Sequence, residues 1–313
     1  MPPKLSIIVP NYNHSRYLEK RLQSILSQTF EDLEVIILDD KSTDNSLEVI
    51  SNFAGNKKIT QLVVNATNSG SPFIQWNKGI ELAQGDYIWI AESDDYAHEE
   101  FLSHLIPLLD AHPRVGIAYC QSVTVRDHRE TDLLTWWTDD LDRERWRAPY
   151  IETGRTEVNR YACQRNTIMN ASSAVFRKKA YIDAHIANEA FRLCGDWLTW
   201  VSMMKDWDVA FCPLPLNYYR FHDKTVRGQA GQKLVFLECL QVRAYIWKHF
   251  DLPMASRLAL IRGLASEWKN YLIHSSSPSL VASAVKSVFR DFWICPSFLA
   301  YLFYAEVRAK LAR

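Results

Sequence analysis

"LSIIVPNYNHSRYLEKRLQSILSQTFEDLEVIILDD", Leu5 to Asp40, reads as a strand, a helix and a second strand. The apolar run Leu5–Pro10 is short and ends on proline, the pattern of a buried strand. Leu18, Leu22, Ile25 and Leu26 then recur at helical spacing, with Asn13 or Ser15 as the expected cap. "EVIILDD" is a second apolar run, closed by Asp39 and Asp40. The same alternation continues outward. "STDNSLEVISNF" predicts an amphipathic helix with Leu47, Ile50 and Phe53 inward, and "ITQLVVN" predicts a strand. "SPFIQWNKGIELAQG" predicts a helix with Pro72 in its first turn and Gly85 past its end, and "DYIWIA" a fourth strand. Strands and helices that alternate at intervals of roughly 25–30 residues predict a parallel α/β sheet with right-handed connections. Such sheets bind ligands beyond the carboxyl ends of their strands, where this chain carries "PNYN", "DD" and "ESDD".

The 313 residues balance at 36 basic and 36 acidic, which argues against nucleic acid as a partner held by bulk charge. The six cysteines (Cys120, Cys163, Cys194, Cys212, Cys239 and Cys295) are scattered and form no CxxC pair. That spacing offers no zinc or redox motif and suits buried thiols in a reducing compartment. "MPPKLSIIVPNYN" lacks the pattern of a signal peptide, so a cytoplasmic location is expected. No GxGxxG follows the first strand and no GxxxxGK[ST] occurs, which counts against a dinucleotide site and a P-loop.

Beyond Phe101, "FLSHLIPLLDAHP" predicts a helix that Pro107 should kink, and "VGIAYCQSVTV" a strand. Periodicity breaks down from Arg126 to Arg165, which reads as a long insert over the sheet edge. Trp136, Trp137 and Trp146 in it would form either a sugar-stacking wall and lid or part of the core. "GDWLTWVSMMKDW" is helical and "DVAFCPLPLNYYRFH" extended. Past Gly231 the sequence is helical throughout, which divides the chain into an α/β catalytic domain at 1–230 and a helical region at 231–313. Phe292–Ala305 is apolar for about 14 positions, short of the ~20 that a membrane span needs. It reads as a helix that packs on the catalytic domain, or as an interfacial helix in peripheral contact with the inner face of the membrane.

The chemistry concentrates in "IWIAESDDYAHEEF", Ile88–Phe101, where a strand ends on Glu92, Asp94 and Asp95. Three carboxylates in four positions repel one another and call for a cation. Mg²⁺ or Mn²⁺ fits, since hard cations take oxygen ligands and bridge to phosphates. A helix cap is the alternative for Asp94 or Asp95. Asp39 would accept a hydrogen bond from a base or ribose, and Tyr12 would stack on the base or form a hydrophobic staple over the first helix.

These motifs together resemble the family-2 glycosyltransferases over about Lys4 to Thr225. "SIIVPNYNHSRYLEKRLQSILSQTFEDLEVIILDDKSTDNS" is similar to that family's N-terminal half, and "NSGSPFIQWNKGIELAQGDYIWIAESDD" to the stretch that leads into its acidic DxD-type motif. "CGDWLTWVSM" resembles the segment that carries the family's catalytic base, and "YYRFHDKTV" a later segment whose His approaches the metal or diphosphate. The resemblance implies a GT-A fold, a Rossmann-like and mostly parallel sheet flanked by helices, here with a helical C-terminal extension. It implies a nucleotide-sugar donor, a UDP-sugar being favoured, and a glycan or lipid-linked acceptor in surface polysaccharide or lipopolysaccharide synthesis. By position, Pro10, Tyr12, Asn13 and Asp39 would hold the nucleoside, with Glu92 and Asp94 on the donor. Asp94, Asp95 and His222 would hold Mn²⁺ or Mg²⁺, and Asp196 would deprotonate the acceptor hydroxyl. A plain hydrogen-bonded His is the alternative for His222, and a helix cap for Asp196. The dipole at the start of that helix would favour an ionised Asp196.

Two residues depart from the family's pattern: Glu92 stands where many members carry Asp, and Trp76 where many carry Arg. A sugar nucleotidyltransferase would use a similar sheet but begin with a Gly-rich loop, which "PNYNHS" is not. A non-catalytic glycan- or nucleotide-binding protein on the same fold would be expected to have lost Asp94, Asp95 or Asp196, and all three are present.

Overall fold

The computed structural model describes residues 2–126, 129–222 and 232–274. The first half alternates as the sequence predicts: β1 (Leu5–Asn11), α1 (Ser15–Leu26), β2 (Leu33–Asp39), α2 (Ser46–Ser51), β3 (Ile59–Val64), α3 (Pro72–Leu82) and β4 (Tyr87–Ile90). β1 pairs in parallel with both β2 and β4, and β2 with β3. The resulting order β3-β2-β1-β4 brings the polar ends of β1, β2 and β4 to one sheet edge.

The α1 cap differs from expectation. His14 precedes the helix and makes no side-chain cap bond. The Ser15 N–H is instead met by Asp44 Oδ2 at 2.9 Å. Asn13 takes a left-handed φ of 57°, which Asn tolerates better than most side chains. Its Oδ1 accepts the Thr43 N–H at 2.7 Å, so it fastens the β1–α1 loop to the loop after β2.

The second half comprises β5 (Tyr96–Ala97), α4 (Phe101–Ala111), β6 (Val115–Arg126), β7 (Arg129–Leu133), β8 (Tyr150–Glu152), α5 (Gly154–Glu157), β9 (Ala174–Arg177), α6 (Lys178–Asp183), α7 (Gly195–Met203) and β10 (Asp208–Phe221). β9 runs antiparallel to both β4 and β6. The sheet is therefore parallel across β3-β2-β1-β4 and mixed beyond it. Pro107 lies on the exposed side of α4, where solvent can meet the carbonyl it frees, and the helix continues through it.

The insert between Arg126 and Arg165 carries short elements held to the sheet, β7 as a hairpin with the preceding β6 and β8 against the distant β10. Glu157, fully buried, holds the Arg145 guanidinium at 2.6 Å, and that guanidinium stacks 3.7 Å over the Tyr150 ring. Trp146 is buried and donates to the Tyr119 hydroxyl at 2.8 Å, so it takes the packing role and not the wall. Trp137 donates to the Asn166 carbonyl at 2.8 Å, and Trp136 stays exposed.

Alternate residues of each strand feed opposite faces of the sheet. Ile8, Ile36 and Ile88 join one core with Phe73, Trp76 and Trp200, while Ile7, Val35 and Trp89 join another with Leu18, Leu22 and Phe101. Two further helices, α8 (Gln232–His249) and α9 (Met254–His274), pack into the first core through Phe236, Leu240, Leu260 and Leu264. The five cysteines among the described residues are buried and form no disulfide. No helix among the described residues is long and apolar enough to cross a membrane. Phe292–Ala305 lies outside the described residues.

Candidate active site

The three carboxylates at the end of β4 point to different surroundings. Asp95 turns inward and is 1% exposed. Its Oδ1 accepts the Arg220 N–H at 2.9 Å and its Oδ2 the Asn170 amide at 2.8 Å. Burial pushes its carboxyl up to about 6, with the Asp94 charge acting in the same direction. Glu92 accepts the Trp76 indole N–H at 2.9 Å, and burial together with Asp94 pushes it up to about 8. Asp94 faces outward. Burial alone would raise it, yet its bond to His222 and the neighbouring His14 and His222 hold it below the usual carboxylate range.

The cation that this cluster calls for is partly internal. Arg21 is fully buried on the inner face of α1, donating Nε to the Glu92 carbonyl and Nη2 to Ser172 Oγ, each at 2.8 Å. Burial lowers it to about 10, against the opposing pull of Asp95, Asp94 and Glu92. Arg220 adds a second contact, its guanidinium bonding the Asp94 carbonyl.

A set of potential metal ligands forms on the outer side. One ligand atom each from His14, Asp94 and His222 lie within 4.8 Å of one another, and all three residues are partly exposed. His222 Nε2 is 3.1 Å from Asp94 Oδ2, and His14 Nδ1 is 2.8 Å from Ser93 Oγ. Two of the three expected metal ligands, Asp94 and His222, meet here. Asp95 does not join them, because both its oxygens are engaged in the interior. His14 stands in the third place. Two imidazole nitrogens and a carboxylate oxygen form a donor set that fits a divalent transition metal.

The expected nucleoside residues cluster on the neighbouring strand ends. Pro10 is buried, and Tyr12 is 46% exposed on the loop after β1. Asp39 is fully buried and accepts from Asn11 Nδ2 and the Ser42 N–H, each at 2.8 Å. It braces the loops on which Tyr12 and Asn13 sit.

Asp196 opens α7 and is partly exposed. Its Oδ2 accepts the Asn166 amide at 2.9 Å and its Oδ1 the Trp197 N–H at 2.7 Å. Gly195 before it is required by packing, since a Cβ there would meet the Phe73 ring at 2.5 Å. Phe73 packs on Trp76 with ring centroids 5.0 Å apart, and Trp76 bonds Glu92. One turn of α3 thus touches both the acidic strand tip and the helix start that bears Asp196. From α8, the buried Glu238 accepts the N–H groups of Arg192, Leu193 and Cys194, each at 2.8 Å, and fixes the approach to α7.

Sequence reasoning missed Arg21, His14 and Glu238. Arg21 had a signal, a charge on the apolar face between Leu18 and Ile25. His14 sits beside the quoted "PNYN" motif. Glu238 had no local signal, because its partners lie more than 40 residues away.

The fold and this edge define a GT-A architecture. Residues 6–183, more than half of the chain, match the family described as Glycosyl transferase family 2, and the chain belongs to that family. An uncharacterised glycosyltransferase of Haemophilus influenzae is 40% identical over 142 residues, 42% of this chain and 56% of that protein. A GalNAc(5)-diNAcBac-PP-undecaprenol beta-1,3-glucosyltransferase of Campylobacter jejuni is 33% identical over 117 residues, 37% of each chain. The matched stretches thus span about half or less of these curated relatives. Among solved structures, Staphylococcus aureus TarS 1–349 superposes with a TM-score of 0.68 at 19% identity, covering 92% of this chain and 80% of that one. The Pyrobaculum calidifontis mannosyltransferase PcManGT, in complex with GDP-Man and Mn²⁺, superposes with a TM-score of 0.59 at 18% identity, covering 98% and 87%.

Proposed function

We propose that the protein is a metal-dependent, inverting glycosyltransferase that moves a sugar from a nucleotide-sugar donor, a UDP-sugar by preference, to a hydroxyl acceptor. The acceptor is a glycan or a lipid-linked glycan in surface polysaccharide or lipopolysaccharide synthesis. The observation that carries this reading is the grouping of Asp94 with His14 and His222 at the sheet edge, joined through α3 to the helix start that bears Asp196. Support also comes from neighbours solved with UDP-GlcNAc (TarS) and with GDP-Man and Mn²⁺ (PcManGT), and from a relative named for an undecaprenol-linked acceptor.

Asp94 and His222 would hold Mg²⁺ or Mn²⁺. Such an ion, when bound, offsets the negative charge that grows on the departing diphosphate. Tyr12 offers an exposed ring to the base, on a loop braced by Asn13 and Asp39. Glu92, fixed by Trp76, would face the ribose. Asp196 takes the proton of the acceptor hydroxyl as that oxygen attacks the anomeric carbon from the side opposite the leaving diphosphate, which inverts the centre. Asn166 and the Trp197 N–H hold its carboxylate in place for that transfer.

A panel of nucleotide sugars, assayed for hydrolysis and binding with and without Mn²⁺, tests the reading. One donor should bind in a metal-dependent way and be slowly hydrolysed. Asp196→Asn should keep that binding and lower transfer by ~10²–10⁴-fold. Glycan binding that needs no metal, with no nucleotide sugar turned over, would overturn it.

A further inference from the structure

We propose that His14 completes a three-donor metal site with Asp94 and His222, and that its two imidazoles make the site select first-row transition-metal ions, manganese among them, over magnesium and calcium. This rests on the metal-dependent reading and goes beyond it, because it assigns a ligand from the β1–α1 loop and a preference among ions.

Geometry comes first. The three ligand atoms lie within 4.8 Å of one another. The 3.1 Å between His222 Nε2 and Asp94 Oδ2 matches the spacing of adjacent ligands. Two donors bonded at about 2.1 Å and at right angles stand about 3 Å apart. His14 is placed for the third position by its setting. It is the N-cap residue of α1, but its side chain makes no cap bond, so its ring is left for other contacts. That ring meets the His222 ring edge-on, with centroids 5.7 Å apart at 89°.

The second contact of His14 is the one a metal-bound imidazole needs. Its Nδ1 lies 2.8 Å from the hydroxyl of Ser93, a residue that is 1% exposed and therefore held still. With the Nδ1–H donating to that oxygen, the tautomer would be set and the Nε2 lone pair left for an ion. Ser93 directly precedes Asp94, so one backbone segment supplies a ligand and orients another.

Ligand chemistry sets the preference. Magnesium and calcium take oxygen donors, whereas imidazole suits transition metals, whose affinities rise from Mn²⁺ to Co²⁺ at a given site. The expected set of Asp94, Asp95 and His222 would have offered two carboxylates and one imidazole, a donor set closer to what magnesium takes. The turn of Asp95 into the interior and the arrival of His14 change the donor count from one nitrogen to two.

The test titrates the full chain, free of nucleotide, with MnCl₂, CoCl₂ and MgCl₂ by calorimetry, and counts nitrogen couplings on bound Mn²⁺ by pulsed electron paramagnetic resonance. The wild type should bind Co²⁺ and Mn²⁺ more tightly than Mg²⁺ and show two nitrogen couplings. His14→Ala should lose Mn²⁺ affinity by on the order of tenfold or more, keep its weak Mg²⁺ binding, and show one coupling. Ser93→Ala should lose less while keeping two couplings. His14→Asn, with the unfolding temperature of each metal-free variant, separates lost ligation from lost folding, and the coupling count on the wild type needs no variant. An unchanged Mn²⁺-to-Mg²⁺ affinity ratio in His14→Ala, or a single coupling in the wild type, would overturn the inference and leave the metal-dependent reading standing. A wild type that binds none of the three ions would overturn both.

Discussion

Arg21→Met tests how the acidic strand tip is tolerated at all. The substitution keeps the apolar stem in the core between α1 and the sheet and removes the guanidinium. It deletes the donors to the Glu92 carbonyl and to Ser172 Oγ, and it strips Asp95 and Glu92 of their buried counter-charge. Hydrogen bonds that involve a charged group contribute ~1.5–3 kcal/mol each, and breaking a buried ion pair from one side costs ~3–5 kcal/mol. These overlap, so a loss of about 4 kcal/mol is expected, a large share of the ~5–15 kcal/mol that holds a domain together. The loss depends on pH with a definite sign. Asp95 titrates at about 6 and Glu92 at about 8 with Arg21 in place, both above their ordinary values. A carboxyl raised in the folded state costs nothing at acid pH, and its cost grows from the unfolded value up to the folded one. Without Arg21 both would rise further, so the deficit should be larger near pH 8 than near pH 5. Urea unfolding of the metal-free protein, followed by far-UV circular dichroism at both values, measures it. A loss below about 1 kcal/mol at both would refute the idea that Arg21 offsets these carboxylates.

Trp76→Phe keeps the stacking on Phe73 and Trp200 but removes the donor to Glu92. Because the Glu92 carboxyl, held at about 8, is largely protonated at neutral pH, the lost bond is a neutral one of ~0.5–1.5 kcal/mol, and the donor KM should rise by about two- to tenfold while kcat changes little, as steady-state kinetics would show. Glu238→Ala strips three N–H groups of their acceptor ahead of Asp196. Its kcat should fall with the Mn²⁺ affinity unchanged, and a fall in both would place its effect elsewhere. Glu92→Gln removes a carboxyl held at about 8, so it should raise the unfolding temperature of the metal-free protein near pH 9 and leave it nearly unchanged near pH 4, the reverse being inconsistent with the burial of Glu92.

The β1-α1-β2 unit was legible because Leu18, Leu22 and Ile25 recur at helical spacing between two apolar runs, a pattern that needs no distant contact. The insert was not, because the five residues of β7 are all exposed and show no alternation, and β8 exists through pairing with the distant β10, which leaves no local period. At the site, the carboxylates were visible but their directions were not. Asp94 and Asp95 are chemically alike and adjacent, yet one faces His222 and the other Asn170 and Arg220, a choice made by the strand's turn into β5. The two departures from the family's pattern, Trp76 and Glu92, were each legible alone. A 2.9 Å bond joins them, a longer acid met by a neutral donor.

The hold that Glu238 exerts on Arg192, Leu193 and Cys194 bears on modularity. A chain cut before α8, retaining the full sheet and all the acidic residues at its edge, would still leave the loop before Asp196 without its anchor. Chimaeras that exchange helical tails between relatives would then alter turnover even where the donor pocket is untouched.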